Sequence, residues 1–144
     1  MGEPQRELMT TMLQQRIQQH QFISDLRIRL LRLHKTLLEM ERIVYEQKQG
    51  QVSKRELLRL VLTDAQFDWL HRLSRLIVRF DDLLHADEPV TSEAIDILVA
   101  EVAALLTPAE NGDEFAQKYE AALQLDPDVV LAHADVTLFL ASRE

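Results

Sequence analysis

Apolar residues recur between residues 23 and 44 at alternating steps of three and four, which is the spacing of a helix with one buried face. A second row at steps of seven, formed by Leu31, Leu38 and Tyr45, widens that face to about half of the helix circumference. Residues 69–84 repeat the plan, and neither stretch contains glycine or proline. The pattern therefore predicts long helices that pack in a bundle. The seam residues are Ile23, Leu26, Leu30, Leu33, Leu37, Met40 and Val44 on the first helix and Leu70, Leu73, Ile77, Phe80 and Leu84 on the later one.

Helix breakers and capping residues divide the chain. Gly50 is a natural end for the first helix, and a capping box from Ser53 to Glu56 starts the second. Asp113 caps the fifth helix, and Pro127 takes the first position of the last. We therefore predict an all-α fold, a helical bundle of about five to six helices with a long N-terminal helix, in one domain spanning residues 1–144. The predicted helices cover residues 5–49, 53–62, 64–85, 92–106, 113–125 and 127–142.

The first predicted helix is too long for the domain that contains it. Its 45 residues would measure about 67 Å, whereas a compact chain of 144 residues has a radius of gyration of about 14 to 15 Å. Either the helix is broken, or its N-terminal part projects. The apolar stripe also changes phase before Ile23. We therefore predict a projecting arm over residues 1–22 that forms a homodimer interface, or else packs on the chain's own C-terminal helices. The candidate interface residues are Leu8, Met9, Met12, Leu13, Ile17 and Phe22.

Five polar residues fall within or beside the apolar faces. Arg27, His34 and Glu41 are spaced by seven on the first helix, and Ser74 and Asp81 are spaced by seven on the third. An antiparallel pairing of the two helices would set Asp81 against Arg27 or His34. Burying any of these groups alone costs several kcal/mol, so the pattern favours a closed polar network. The alternative is a ligand or proton-transfer site at the same residues.

Motifs for catalysis and metal binding are weak or missing in the sequence. The chain has no cysteine, which excludes disulfides and thiolate chemistry, and it has no phosphate loop, nucleophile elbow or His-Glu-x-x-His motif. Asp68-x-x-His71 and Asp82-x-x-His85 resemble the spacing of di-iron ligands, but both pairs belong to one helix and lie opposite its apolar seam. We therefore expect no catalytic residues, no metal and no cofactor.

Charge is divided unevenly along the chain, whose net charge is −8. Residues 1–85 contain 14 Lys and Arg against 11 Asp and Glu, a net charge of +3, whereas residues 86–144 contain 2 against 13, a net charge of −11. We expect the acidic part to pack beside the basic core of residues 23–85 and neutralise it. The basic faces of the first and third helices leave nucleic-acid binding as an alternative, and the acidic pI argues against it.

No apolar run approaches the roughly 20 residues of a membrane-spanning helix, and the first residues are polar, so we expect a cytoplasmic protein that contacts no membrane. Residues 33–42, the triplet Glu56-Leu57-Leu58, and residues 67–84 and 126–133 together resemble a group of small uncharacterised bacterial all-helical proteins. The resemblance implies a helical fold, and it carries over no activity and no site residue.

Three functions follow from these patterns. The first is a non-enzymatic cytoplasmic helical-bundle protein that acts through protein–protein association as a homodimer. The second is a metal- or small-ligand-binding bundle, a sensor or enzyme, with a polar site around His34, Glu41 and Asp81. The third is a nucleic-acid-associated protein that uses the basic faces of the first and third helices.

Overall fold

A computed structural model describes residues 2–109 and 112–143 of the chain. Within these ranges the chain forms six α-helices and one 3-10 helix, and no strand. The predicted all-α bundle with a long first helix is therefore confirmed. The α-helices are α1 (Glu3–Gln49), α2 (Lys54–Thr63), α3 (His71–His85), α4 (Ser92–Leu105), α5 (Glu114–Leu125) and α6 (Pro127–Ala141), and the 3-10 helix is Ala65–Leu70.

Helix α1 is the central element of the bundle. It is continuous over 47 residues, about 70 Å. Of the two alternatives that its length allowed, the helix is therefore unbroken and its N-terminal part projects. Its predicted seam from Ile23 to Met40 is buried, and it packs mainly against α3 and α6. The helix ends at Gly50, whose φ of 86° is a left-handed conformation that glycine adopts without strain.

The segment after α2 differs from its prediction. Residues 64–85 were predicted as one helix, but Ala65–Leu70 forms a 3-10 helix that leads into α3. The Asp64 side chain accepts a hydrogen bond from the Gln66 amide and starts this tighter turn. Because side chains three residues apart align in a 3-10 helix, Phe67 and Leu70 point into the core together, and Trp69 is buried beside them.

Three further helices begin at residues whose side chains cap them, and Ser53 and Asp113 among these were predicted. The side chain of Ser53 accepts a hydrogen bond from the Glu56 amide, that of Thr91 from the Ala94 amide, and that of Asp113 from the Ala116 amide. The starts of α2, α4 and α5 are therefore fixed by hydrogen bonds between residues close in sequence. Helix α5 packs on α6 and on the 3-10 helix, and α4 lies against α1 and α3. None of the helices in the described ranges combines the length and the apolarity that crossing a membrane requires.

Helices α3 and α6 both run antiparallel to α1 and end at the same level of it. Asp81 lies against Arg27 and Ser74 against His34, so α3 reaches the level of Ile23 at its last residue. On α6, the ring of Phe139 stacks on Phe22 at 5.1 Å between centroids. Residues 3–18 of α1 therefore continue past the ends of their neighbours, and all of them are exposed. We call residues 3–18 the arm.

Candidate functional site

Arg27, His34 and Glu41 on α1 with Ser74 and Asp81 on α3, which we call the polar line, form two contacts between these helices, and the sevenfold spacing suggested the one between Arg27 and Asp81. Arg27 and Asp81 form an ion pair through the guanidinium Nε. Nε2 of His34 lies 2.7 Å from Oγ of Ser74. The antiparallel register of the two helices produces both contacts, because seven residues forward on α1 match seven residues back on α3.

Glu41 does not join these pairs. Its carboxylate accepts a hydrogen bond of 2.8 Å from Nε2 of Gln66, and the same amide donates to the Glu41 carbonyl at 3.0 Å. The prediction of one closed network is therefore wrong. Residues seven apart on a helix are separated by about 10 Å along its axis, so Arg27, His34 and Glu41 each meet a different partner across the seam.

The His34–Ser74 contact is one of two hydrogen bonds open to the serine hydroxyl. Ser74 Oγ lies 2.7 Å from His34 Nε2 and 3.2 Å from the Leu70 carbonyl, and it has a single proton to donate. In the tautomer with a proton on Nε2, His34 donates to Ser74 Oγ and the hydroxyl donates to the Leu70 carbonyl. Burial, and secondly the nearby His71, lower the pKa of His34 below its ordinary value. Both hydrogen bonds hold the imidazole and the hydroxyl in place at the edge of the core.

The polar line is also shallower than a buried site. No charged residue in the described part of the chain is buried, and the side chains of Arg27 and Asp81 keep 31% and 34% of their accessible area. Arg27 pairs with Asp81, and His34 with Ser74, at the partly exposed edge of the core. Nothing in their geometry favours a ligand over a structural role.

Histidine and carboxylate side chains do not gather into a metal site anywhere in residues 2–109 and 112–143. The two Asp-x-x-His pairs are explained differently. Nε2 of His71 lies 2.8 Å from the Val61 carbonyl, and Nδ1 of His85 lies 2.7 Å from the Asp81 carbonyl. One ring nitrogen of each imidazole is therefore hydrogen-bonded to a backbone carbonyl and does not lie in a cluster of metal ligands.

The basic faces of α1 and α3 meet carboxylates of the acidic C-terminal part. Arg29 lies 3.4 Å from Asp135 of α6, and its guanidinium also stacks 4.1 Å above the Phe139 ring. On α3, Arg72 pairs with Asp113 and Arg79 with Glu101. The expected neutralisation within one domain is therefore present. Most of the predicted basic surface is already paired, which leaves less of it for a nucleic acid.

Sequence reasoning missed a polar pair between α5 and α6. Tyr119 is fully buried, and its hydroxyl lies 2.6 Å from Nδ1 of His133. Burial raises the pKa of Tyr119 and lowers that of His133, so both groups are neutral near pH 7. The signal was weak, because Tyr119 and His133 are fourteen residues apart on two different helices.

The arm presents the largest run of exposed apolar side chains. Five of the six predicted interface residues lie on it, with between 46% and 66% of their area accessible: Leu8, Met9, Met12, Leu13 and Ile17. Phe22 is a correction to that prediction. It is half-buried between the Phe139 ring and the Arg143 guanidinium, because α6 extends just far enough to cover it.

A groove lies where the arm leaves the bundle. Gln19 marks the exit, since its side-chain amide donates to Ser92 Oγ at 2.8 Å at the start of α4. The groove has a volume of about 270 Å³ and lies between α1 and the turn that follows α3. The groove is lined by apolar residues and by four polar ones: Ile17, Leu83, Leu84, Ala86, Pro89 and Val90, with Arg16, His20, Gln21 and Glu88.

Comparison of the chain with protein-family models, with curated proteins and with solved structures finds no match. The resemblance to small bacterial helical proteins therefore stays a prediction. The arm and the groove at its base are the most distinctive surfaces of the molecule.

Proposed function

We propose that this chain is a non-enzymatic, cytoplasmic protein–protein association module that works as a homodimer through its arm. The observation that carries the proposal is the arm itself. A helix of about four and a half turns, roughly 24 Å, extends beyond α3 and α6 with one apolar half of its surface uncovered. A single helix in water gains little stability unless its apolar face is buried, so this face requires a partner.

The composition of the arm supports a protein partner. Residues 3–18 contain two acidic and two basic side chains, Glu3, Glu7, Arg6 and Arg16, and are otherwise rich in glutamine. Helices that lie on anionic membranes carry an excess of Lys and Arg opposite their apolar face, and nucleic-acid-binding helices do so as well. A balanced polar side with an apolar stripe is typical of helix–helix association.

In a pair of identical chains, the charges oppose contact between the two bodies but do not oppose contact between the two arms. Each chain carries a net charge of −8, which opposes broad contact between two bodies. The arm has no net charge of its own. Contact confined to the arms therefore buries apolar surface, worth on the order of 1 kcal/mol for each half-exposed side chain, while it keeps the acidic regions apart.

The test is the mass in solution of a double variant, Leu13→Asp with Ile17→Asp. Both side chains are more than half exposed, so folding of the body does not depend on them. We expect the unsubstituted chain to be a dimer in light scattering and native mass spectrometry, and the variant to be a monomer with unchanged helicity. The matched control is Leu62→Asp, which changes an equally exposed leucine on α2 and should leave the dimer intact.

A monomeric unsubstituted chain at tens of micromolar would overturn the proposal. An unchanged mass for the double variant would do so as well. Loss of helicity in the variant would show that the arm contributes to the fold of the body, and would contradict the assignment of its apolar face to a partner.

A further inference from the structure

A cavity of about 300 Å³ lies between α4, the turn that follows it, and α6. Most of its lining is apolar, and two of the apolar residues, Val102 and Leu106, belong to the buried core. Ligand pockets in proteins typically measure about 300 to 1,000 Å³ and combine apolar walls with a few polar groups. The cavity therefore has the size and the lining of a site for one small molecule. Its apolar residues are Val102, Ala103, Leu106, Pro108 and Leu140.

The imidazole of His133 is the polar ring in this lining. Its Nδ1 lies 2.6 Å from the hydroxyl of Tyr119, which is fully buried and has no other hydrogen-bond partner among the described residues. The tyrosine therefore donates its proton to Nδ1. A neutral imidazole holds one proton, so in this tautomer the proton is on Nε2. His133 thus offers a ligand the N–H of its second ring nitrogen.

Two threonines also line the cavity, and both already use their hydroxyl protons. Thr107 donates to the Ala103 carbonyl at 2.6 Å, and Thr137 donates to the Ala134 carbonyl at 3.1 Å. A hydroxyl has a single proton, so each threonine oxygen can only accept a further hydrogen bond. Among the lining side chains, His133 is therefore the donor, and a ligand needs an acceptor atom to meet it.

The charges around the cavity favour an uncharged ligand. No aspartate, glutamate, lysine or arginine is among its lining residues. Residues 86–144, which include all of this lining, carry a net charge of −11, and this charge opposes the approach of an anion. A cation gains nothing from the His133 N–H, because that group is itself a donor.

We propose that the cavity between α4 and α6 binds a small, uncharged and mainly apolar molecule whose oxygen atom accepts a hydrogen bond from Nε2 of His133. This site is separate from the polar line and from the arm, so the inference goes beyond the proposed function and does not rest on it. An apolar cavity of about 150 Å³ is sufficient for benzene. A cavity of about 300 Å³ therefore accommodates a six-membered ring with a short substituent.

Acetophenone and α-methylstyrene test the proposal, because the two molecules have nearly the same shape and only acetophenone has an acceptor oxygen. Each is titrated into the full-length, isotope-labelled chain, and NMR follows the backbone amides of Val102 and Thr137 and the ring nitrogens of His133. We expect acetophenone to shift these amides to saturation and to shift the Nε2 resonance. We expect α-methylstyrene to leave the Nε2 resonance largely unchanged.

A variant that fills the cavity tests the location of the site. Ala103→Phe adds a ring to the lining at an exposed position of α4, and the control Ala121→Phe makes the same change at an exposed position of α5 outside the cavity. We expect Ala103→Phe to raise the dissociation constant of acetophenone about tenfold or more by steric exclusion, and Ala121→Phe to leave it unchanged. Thr137→Phe fills the same cavity from α6 and replaces Ala103→Phe if that variant does not fold.

Four outcomes would overturn the inference. The first is the absence of saturable shifts at Val102 and Thr137 with millimolar acetophenone. The second is an equal dissociation constant in the filled variant and the control, which would place binding elsewhere. The third is an equal effect of both molecules on Nε2 of His133, and the fourth is a ring spectrum that places the proton on Nδ1. None of these results changes the expected mass of the dimer, so the proposed function is tested separately.

Discussion

The hydroxyl of Tyr119 on α5 lies 2.6 Å from Nδ1 of His133 on α6 and joins the two helices. Because Tyr119 is fully buried and His133 is only half-buried, the two groups depend on the bond unequally. The tyrosine has no other hydrogen-bond partner among the described residues. We infer that Tyr119 donates and His133 accepts, since the opposite direction would leave the buried hydroxyl proton without an acceptor.

Substitutions in this pair should therefore have unequal costs. We expect Tyr119→Phe to lower the free energy of unfolding by about 1 kcal/mol or less, because the accessible imidazole can bond to water. His133→Leu should cost about 1 to 3 kcal/mol, since it leaves the buried hydroxyl unsatisfied. Urea unfolding of the two single variants and the double variant measures both costs and their coupling. Equal costs for the two single variants would contradict this donor assignment.

Acidification should destabilise the folded chain through His34 and His133. Burial lowers the pKa of both below the ordinary value of 6.5, so the unfolded chain takes up protons first as the pH falls. The stability they contribute is complete above about pH 6.5 and is lost as the pH falls toward their folded pKa values. We expect the free energy of unfolding to decrease between pH 7 and pH 5, and His34→Gln to reduce that decrease.

The matched control for the pH measurement is His85→Gln, at an exposed histidine of α3. It should keep the pH dependence of the unsubstituted chain. A free energy of unfolding that does not change between pH 7 and pH 5 would refute the prediction.

The Arg27–Asp81 ion pair should contribute modestly, because about a third of each side chain is accessible. We expect Asp81→Asn to lower the free energy of unfolding by about 0.5 to 1 kcal/mol, and this difference to shrink in 1 M salt, where the Debye length is about 3 Å. Asp82→Asn is the control, at the neighbouring exposed carboxylate. A loss of several kcal/mol, independent of salt, would instead indicate a buried charge pair.

Neighbouring leucines of α1 should respond very differently to truncation. Leu33 is fully buried and Leu31 retains 37% of its area. Leu33→Ala should lower the free energy of unfolding by about 2 to 5 kcal/mol through lost burial and the cavity left behind, and Leu31→Ala by about 1 kcal/mol or less. Chemical denaturation at one protein concentration measures both, since association also stabilises the folded state. Similar losses for the two variants would place α1 in a different rotation from the one observed.

The helices themselves were predictable because their signals are local. Ser53 accepts from the Glu56 amide as the capping box predicts, and Pro127 begins α6. The exception is the 3-10 helix before α3, where the caps permit either helix type. The burial of Phe67 together with Leu70 decides it, and that burial depends on α1 and α5.

Polar partnerships were only half predictable. The sevenfold spacing placed His34 and Ser74 on facing helices, and the structure brings them together. The same reasoning assigned Glu41 to their network, whereas the Glu41 carboxylate accepts a hydrogen bond from Gln66 instead. A hydrogen bond requires its donor and acceptor atoms to lie about 3 Å apart. Whether two side chains on different helices come that close depends on how far one helix is shifted along the other, and the sequence pattern of each helix does not specify this shift. Tyr119 and His133 escaped prediction for the same reason.

Local sequence patterns were enough to predict an all-α fold, the ends of most helices and the apolar face of α1, because these properties depend on residues within one or two turns of each other. The exposure of the first sixteen residues of α1 instead depends on how the helices pack. Helices α3 and α6 have 15 residues each, about 22 Å, and both end at the level of Phe22 and Ile23. The arm is uncovered because its neighbours are too short to reach it.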